Sequence, residues 1–395
     1  MKRSATEHFL NLGHAFDHLL MLIFPTVILV MAPAFGMAYG EMLQLSLGGF
    51  IAFGAGSLPA GWLADRWSRW GMMVVFFVGI GLATMLVGLA QSPWQVAVGL
   101  TLVGLFAAIY HPVGIAMLVA GRDKVGTTLG VNGVWGNLGV AAAALSAGAL
   151  GDFLGWRWAF VIPGAAAVAA GIAFAWLVPK PDRDLKRRSA PPAKLTREVF
   201  LRVFAVLVVA TVCGGVIFNA TTIAMPKVFD ERLSALTNSA FGVGLLVSLV
   251  YVLAAMAQLI VGRLIDQHAL RPVFVGISAL QAPFLLLAAG LSDWAMLLAA
   301  IGMMFAVFGQ IPINDAIIAK YTVEEWRARV YALRYVVSFV ASACAVPLVA
   351  FMHGAFGGFN QLYLVLAGLA ALTFLGAMSF PAAAMARPTA AKAAA

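Results

Sequence analysis

The chain has 395 residues, of which 63% are hydrophobic and only 10% are charged, whereas about a quarter of the residues of a soluble globular protein are charged. Apolar runs of about 18 to 25 residues recur along it, and each is long enough to cross a bilayer as a helix. The composition therefore excludes a soluble globular protein, and the net charge of +9 describes membrane topology and does not predict binding to nucleic acid.

Breaks at proline, glycine and charge clusters predict twelve membrane-spanning helices. Six fall in the first half of the chain, at residues 8–32, 41–64, 71–90, 94–119, 127–150 and 157–178, and six in the second, at 199–223, 238–264, 271–290, 293–319, 327–352 and 358–380. The predicted fold is thus an all-α polytopic membrane protein with an N-terminal six-helix bundle (1–178) and a C-terminal six-helix bundle (199–381). The proline-broken, basic segment 179–198 is predicted to be a cytoplasmic linker, and the low-complexity segment 382–395 a disordered tail.

The basic residues predict the orientation of these helices. Of the 25 Lys and Arg residues, all but four lie in the tails and in the alternate loops that share one side of the membrane. Arg157, Lys227 and Arg232 lie on the other side, and Arg334 falls within a span. Because positive charge stays cytoplasmic, we expect a multi-pass protein of a bacterial-type inner (plasma) membrane with both termini in the cytoplasm.

A short motif recurs at the same topological position in both halves. GWLADRWSRWG begins at residue 61 and GRLIDQHALRP at residue 262, and each closes the second span of its half. The recurrence indicates duplication of a six-helix unit. Two repeated halves are typical of transporters, which bind their substrate near the midplane between the halves.

The first copy of this motif resembles the signature loop of the major facilitator superfamily, and the resemblance covers essentially the whole chain. Matching positions are Gly61, Leu63, Asp65, Arg66 and Arg69, and GWRWAF at 155–160 resembles a second common element of the family. Ser68 and Trp70 depart from the usual glycine and basic residue. The resemblance implies the two-bundle fold and a gate at this loop, to which we assign Asp65, Arg66, Arg69 and, from the second copy, Asp266.

Two further stretches are similar to the fosmidomycin-resistance-type branch of that superfamily. They are GHAFDHLLMLIFPT in the first span and YHPVGIAMLVAGRDKVGTTLGVNGVWGNLG across the fourth and fifth. This narrower resemblance implies proton-driven efflux of small drugs or metabolites by a carrier that is not an enzyme. The direction of transport rests on this resemblance alone.

Three titratable groups in the first span are expected to point away from lipid. An Asp at the centre of a span costs about 2.5 to 3.5 kcal/mol on insertion scales, and His14, Asp17 and His18 follow i, i+3, i+4 spacing on one face of a helix. In the family that the sequence resembles, spans one, four, seven and ten surround a central cavity. All four carry polar residues here, and those on the last three are His111; Asn219, Thr221 and Thr222; and Gln310, Asn314 and Asp315.

These residues suggest two roles. We predict that Asp17, with His14 or His18, carries a coupling proton, because burial brings carboxylates and imidazoles toward ionisation near neutral pH. Asp315 is assigned to the same role and is expected to face Arg334. The residues assigned to substrate binding and the cavity are His111, Asn219, Gln310, Asn314 and Arg334. The simpler interpretation is that the histidines hydrogen-bond neighbouring helices and that Arg334 and Asp315 form a static ion pair.

The predicted partners are a small-molecule substrate, protons and the lipid bilayer, and the chain is expected to act as a monomer without nucleic acid or cofactor. Proton-coupled uptake of a small organic acid is the alternative function. Divalent metal-ion export is a further alternative, because imidazole and carboxylate groups bind transition metals. The sequence contains no P-loop, HExxH or GxSxG motif, so neither ATP hydrolysis nor hydrolytic catalysis is predicted.

Overall fold

The computed structural model describes residues 2–120, 125–180, 197–321 and 324–381. Twelve helices within these residues are long and apolar enough to cross a membrane, which confirms the predicted all-α fold with twelve spans. Most of the predicted linker, at 181–196, and the whole predicted tail, at 382–395, lie outside the described residues.

Six spans form the first half of the chain. Span 1 consists of Lys2–Leu22 and Phe24–Phe35, span 2 of Tyr39–Gln44 and Leu47–Arg66, span 3 of Arg69–Gly88, span 4 of Pro93–Ala107, a π-helix at Tyr110–Gly114 and Ile115–Val119, span 5 of Val125–Leu154, and span 6 of Trp158–Leu177. The break in span 1 precedes Pro25, which has no N–H to donate to the preceding turn.

Six spans form the second half. Spans 7 to 12 are Arg197–Arg232, Ala240–Gln267, Leu270–Gly290, Asp293–Tyr321, Glu324–Phe356 and Asn360–Ser379. Span 7 runs nine residues past its predicted end at residue 223. Lys227 lies 2.6 Å from Asp230 and 3.6 Å from Glu231, and ion pairs at these spacings stabilise the additional helical turns.

The same pairs of spans pack together in both halves. In the first half span 1 packs on span 5, span 2 on span 4 and span 3 on span 6; in the second, span 7 packs on span 11, span 8 on span 10 and span 9 on span 12. Glycine permits some of these close approaches, since a Cβ added at Gly104 of span 4 would lie 1.9 Å from the carbonyl oxygen of Gly49 in span 2. Spans 5 and 2 of the first half pack on spans 8 and 11 of the second.

Candidate functional site

Three histidines and one aspartate lie together where spans 1 and 4 meet. Nε2 of His14 lies 3.2 Å from Nε2 of His18, and Nε2 of His111 lies 3.4 Å from Oδ2 of Asp17. The ring of His111 is 5.3 Å from that of His14 and 5.8 Å from that of His18, between centroids. We call His14, His18 and His111 the histidine cluster. The structure thus brings together four residues that the sequence analysis took from two separate stretches.

Asp17 is the most isolated member of this group. Its residue is 0% exposed, and neither carboxylate oxygen has a hydrogen-bond partner among the described residues. Its one described salt-bridge contact is with the imidazole of His111, which is charged only when protonated, and the side chain of His111 is 14% exposed. A buried carboxylate with so few compensating contacts is costly in its charged form.

His111 lies in an irregular turn of span 4. Pro112 cannot donate a backbone hydrogen bond, and the helix widens into a π-helix over Tyr110–Gly114. Such π-helical turns frequently occur at functional sites. His111 and Pro112 therefore lie in a single wide turn of span 4.

A polar network behind His14 was not predicted. Nδ1 of His14 donates to the backbone oxygen of Asn132, at 2.7 Å. The side-chain amide of Asn132 donates to Oδ1 of Asn11 and to the hydroxyl of Tyr110, both at 2.9 Å, and that hydroxyl donates to the backbone oxygen of Leu10, at 2.7 Å. The network ties span 5 to spans 1 and 4 and fixes the orientation of the His14 ring. A signal was present in the sequence, because Asn11 lies three residues before His14 on the same helical face.

The second half carries its own polar group on spans 7, 9, 10 and 11. Gln281 donates to Oε1 of Gln310, and Ser342 donates to Oδ1 of Asn219, at 2.9 Å. Asn314 is 8% exposed, and its Oδ1 has no hydrogen-bond partner in the part of the chain that the structure describes. Gln281 was not predicted, because span 9 was not expected to contribute to the cavity.

Arg334 and Asp315 form an ion pair between spans 11 and 10. The Arg334 side chain is 14% exposed and that of Asp315 is 49% exposed. The contact is the one expected from the sequence. Because the carboxylate is accessible while the guanidinium is mostly buried, a small anion that reached Arg334 would compete with Asp315 for it.

The residues assigned to the gate lie away from the histidine cluster, at the end of spans 2, 3 and 8 that leads toward the linker. Asp65 accepts from Arg69 at 2.8 Å, and the guanidinium of Arg66 lies 4.3 Å from the centroid of the Trp62 ring. Asp65, Arg66 and Asp266 are exposed. The structure therefore places these residues at the ends of spans 2 and 8 and at the start of span 3, on the linker side.

The two halves contact each other at the opposite end, which we call the distal end. A Cβ added at Gly148 of span 5 would lie 2.2 Å from the carbonyl oxygen of Ala240 in span 8. Oδ2 of Asp152 accepts from the backbone N–H of Phe241 at 2.6 Å. The halves are thus held together at the distal end.

A pair of aromatic rings, one from each half, lies beside the histidine cluster. Phe339 of span 11 lies 4.7 Å from Phe53 of span 2 and 6.4 Å from His111, between ring centroids. A Cβ added at Gly54 would lie 2.8 Å from Cβ of Phe339. The cluster therefore borders the interface between the halves.

Comparison with known proteins identifies relatives of this chain. The family model described as "Major Facilitator Superfamily" matches residues 10–244 and 232–395. The chain is 32% identical over 123 residues to the puromycin resistance protein pur8 of Streptomyces alboniger, which is 30% of this chain and 24% of that protein. It is 33% identical over 102 residues to a Na(+), Li(+), K(+)/H(+) antiporter of Planococcus maritimus, 25% of this chain and 24% of that protein.

A longer match is to the multidrug resistance protein MdtG of a Rahnella species, 26% identical over 234 residues, 57% of this chain and 56% of that protein. The chain thus matches between about a quarter and just over half of the length of these curated relatives.

Solved structures share the fold. A D-xylose–proton symporter superposes with a TM-score of 0.78 at 13% identity, covering 97% of this chain and 98% of the other. A bacterial homologue of the human lysosomal transporter Spinster, in an inward-facing and unoccupied conformation, superposes with a TM-score of 0.74 at 18% identity, covering 96% and 98%. At these identities the likeness concerns the fold alone.

Proposed function

The chain belongs to the Major Facilitator Superfamily, and from that premise we propose that it exports a small organic solute or drug in exchange for protons. Members of this family are multi-pass membrane carriers and not enzymes. The proposal also places both termini in the cytoplasm, since most Lys and Arg residues lie on the side of the linker.

The burial of the Asp17 carboxylate is the observation that supports the proposal most directly. This carboxylate is buried without a hydrogen bond in the described structure, and the imidazole 3.4 Å from it, that of His111, belongs to a different span. Protonation removes the charge and with it most of the cost of enclosing this group in protein. Asp17 can therefore take up a proton from one side of the membrane and release it on the other when its surroundings change.

Alternating access supplies that change of surroundings. The halves make close backbone and polar contacts at the distal end, while the proposed gate residues Asp65, Arg66, Arg69 and Asp266 lie at the linker end. Rocking of one half against the other around the site is the usual mechanism for such a fold. In the alternate state, the distal contacts open and the gate residues come together.

Efflux is supported by the names of the relatives and by the motifs of the first and fourth spans. The puromycin and multidrug resistance proteins suggest a drug-like substrate, and the antiporter suggests exchange against protons. The stretches around His14 and His111 resemble the fosmidomycin-resistance-type branch, to which we assign the chain.

The substrate site in this proposal spans both halves. His111 borders this site from the first half. The second half contributes amide and guanidinium groups, which belong to Asn219, Gln310, Asn314 and Arg334. The buried amide oxygen of Asn314 has no described hydrogen-bond partner, so it can accept one from a bound solute. His14 and His18 assist proton transfer through their contacts with His111, and Asp315 does so through its contact with Arg334.

The test measures proton movement driven by a candidate solute. Purified protein is reconstituted into vesicles that enclose a pH-sensitive dye, and a panel of drugs beginning with puromycin is added. We expect at least one solute to move protons in the direction opposite to its own. Asp17→Asn should lower this flux at least tenfold, because the amide keeps the size of the side chain and cannot carry the proton.

Glu41→Gln provides the matched control. Glu41 is an exposed carboxylate that accepts from the backbone N–H of Ala38, at 3.1 Å, and its neutralisation should leave the flux unchanged. Full solute-driven proton flux in Asp17→Asn would show that Asp17 is not the coupling residue. Solute export that persists after collapse of the proton gradient would show that the carrier is not proton-driven.

Proton-coupled uptake of a small organic acid is a second candidate, and the ion pair of Arg334 with the half-exposed Asp315 favours it. A carboxylate substrate could replace Asp315 on the guanidinium. Vesicles with an inward proton gradient decide between the two directions, because a labelled organic acid accumulates only if solute and proton move together. Arg334→Gln should abolish such accumulation.

A further inference from the structure

The three histidines of the cluster have the spacing of a metal site. Each offers one ring nitrogen, and the three nitrogens lie within 4.8 Å of one another. In a tetrahedral zinc site with bonds of about 2.0–2.1 Å, neighbouring ligand nitrogens lie about 3.3–3.4 Å apart. Nε2 of His14 and Nε2 of His18 are already 3.2 Å apart, so only the His111 ring has to move closer.

The tautomer of His14 suits metal binding. A backbone carbonyl can only accept a hydrogen bond, so the contact of 2.7 Å between Nδ1 of His14 and the oxygen of Asn132 requires the proton on Nδ1. In the neutral ring, Nε2 then carries a lone pair, and it faces Nε2 of His18. Metal-ligating histidines almost always donate their other N–H in this way.

Asp17 supplies a second outer contact of the same kind. Its Oδ2 lies 3.4 Å from Nε2 of His111, where a carboxylate can orient a histidine that ligates a metal through its other nitrogen. The negative charge of Asp17 would also offset part of the positive charge of a divalent ion in these largely apolar surroundings. Neither oxygen has a described hydrogen bond, which leaves the carboxylate available for this role.

We propose that His14, His18 and His111 form a binding site for a divalent transition-metal ion of the zinc class, oriented by Asp17 and by the backbone of Asn132. Three histidines leave one coordination position open to water. His18 and His111 are partly exposed, and His111 borders the interface between the halves, so the ion can enter from that interface. The site stands on geometry and does not depend on proton coupling or on the direction of transport.

The competing interpretation is a hydrogen bond from Nε2–H of His18 to Nε2 of His14, which also accounts for the separation of 3.2 Å. Titration of the purified full-length protein, freed of any affinity tag, with Co²⁺ distinguishes the two. Four-coordinate Co²⁺ gives strong visible absorption, whereas the hydrated ion absorbs weakly. We expect one Co²⁺ per chain in a four-coordinate site, displaced stoichiometrically by Zn²⁺.

Variants test which residues hold the ion. His14→Gln and His111→Gln should each weaken Co²⁺ binding by at least about 100-fold, and Asp17→Asn by about 10- to 100-fold, the usual cost of losing an outer-shell partner. His268→Gln is the matched control, because His268 is exposed at the end of span 8; it should bind Co²⁺ as the unaltered protein does.

Thermal unfolding is a second measurement in case a variant folds poorly. Zn²⁺ should raise the unfolding temperature of the unaltered protein and of His268→Gln, since a ligand that binds only the folded state stabilises it, and it should not raise that of His14→Gln. Absence of saturable Co²⁺ binding, or equal binding by His14→Gln, would overturn the proposal. The flux assay, run with a chelator present, is independent of this result, so either proposal can fail without the other.

Discussion

Tyr110 joins three spans behind His14 through its hydroxyl group. It donates to the backbone oxygen of Leu10 and accepts from the side-chain amide of Asn132, and the Tyr110 ring stacks on that of His14 with 5.0 Å between centroids. Tyr110 is 0% exposed, so water cannot replace these bonds. The orientation of His14, and with it the geometry of the cluster, depends on this network.

Tyr110→Phe should therefore lower the free energy of unfolding by about 1–2 kcal/mol, because two buried hydrogen bonds are lost. Tyr363→Phe is the matched control: the Tyr363 hydroxyl is also buried but has no hydrogen-bond partner among the described residues, so its removal should be neutral or stabilising. Denaturant unfolding in mixed micelles measures both. Equal destabilisation by the two variants would contradict the network.

The sequence predicted the polar face of span 1 but not its partners. Helical spacing alone puts His14, Asp17 and His18 on one face, and the cost of a carboxylate in lipid turns that face inward. The partner of His14 is a backbone carbonyl 118 residues away, and any residue type presents a carbonyl. Such a contact depends on how spans 1 and 5 pack and leaves no mark in the residue types.

At the scale of the helices, hydropathy located each span, while interruptions and extensions depended on local chemistry. The break before Phe24 and the π-helix at Tyr110–Gly114 accompany prolines, which the sequence reveals. The extension of span 7 to Arg232 does not show in hydropathy, because its last turns are charged and are stabilised by ion pairs of Lys227. Composition therefore marks where a helix crosses the membrane better than where it ends.

Packing of span 5 on span 8 gives a prediction at this scale. A Cβ added at Gly244 of span 8 would lie 2.3 Å from the carbonyl oxygen of Ala144 in span 5, well inside van der Waals contact. Gly244→Ala should therefore force the backbones apart and lower the free energy of unfolding by about 1–3 kcal/mol. Denaturant unfolding in mixed micelles measures the change.

Gly276→Ala is the control for this change. Gly276 lies within span 9, and a Cβ there meets nothing within 4 Å, so alanine should be neutral or stabilise the helix by up to about 1 kcal/mol. If Gly244→Ala proved as stable as Gly276→Ala, spans 5 and 8 would not be in backbone contact in solution.

At the scale of the whole molecule, the repeated motif indicated duplication, and the pairs of spans that pack together recur in both halves. The two copies of the motif nevertheless differ locally. Asp65 pairs with Arg69 in the first, whereas Arg271 in the second donates to the backbone oxygen of Met378, at 2.8 Å. The sequence did not reveal that the halves contact each other at the distal end, because the carbonyl of Ala240 and the N–H of Phe241 are backbone groups that almost any residue type presents.

Closure of the distal end gives the last prediction. Asp152 of the first half accepts from the backbone N–H of Phe241, in the first turn of span 8 in the second half. A carboxylate at a helix N-terminus contributes about 0.3–1 kcal/mol, and here it does so only while the halves are together. Asp152→Asn should therefore shift the population toward a state that is open at the distal end by that amount. Asp293→Asn is the matched control, since Asp293 accepts from the backbone N–H of Ala235 within one half, at 3.0 Å.

The shift is measured with spin labels on cysteines introduced at Ala38 and Asn238, which are exposed near the distal end on opposite halves, after Cys213 and Cys344 have been replaced by serine. Asp152→Asn should increase the population of long distances between the labels. Asp293→Asn should lower stability and leave the distances unchanged, because its bond does not cross between the halves. An identical distance distribution in Asp152→Asn and in the unaltered protein would show that this contact does not hold the distal end closed.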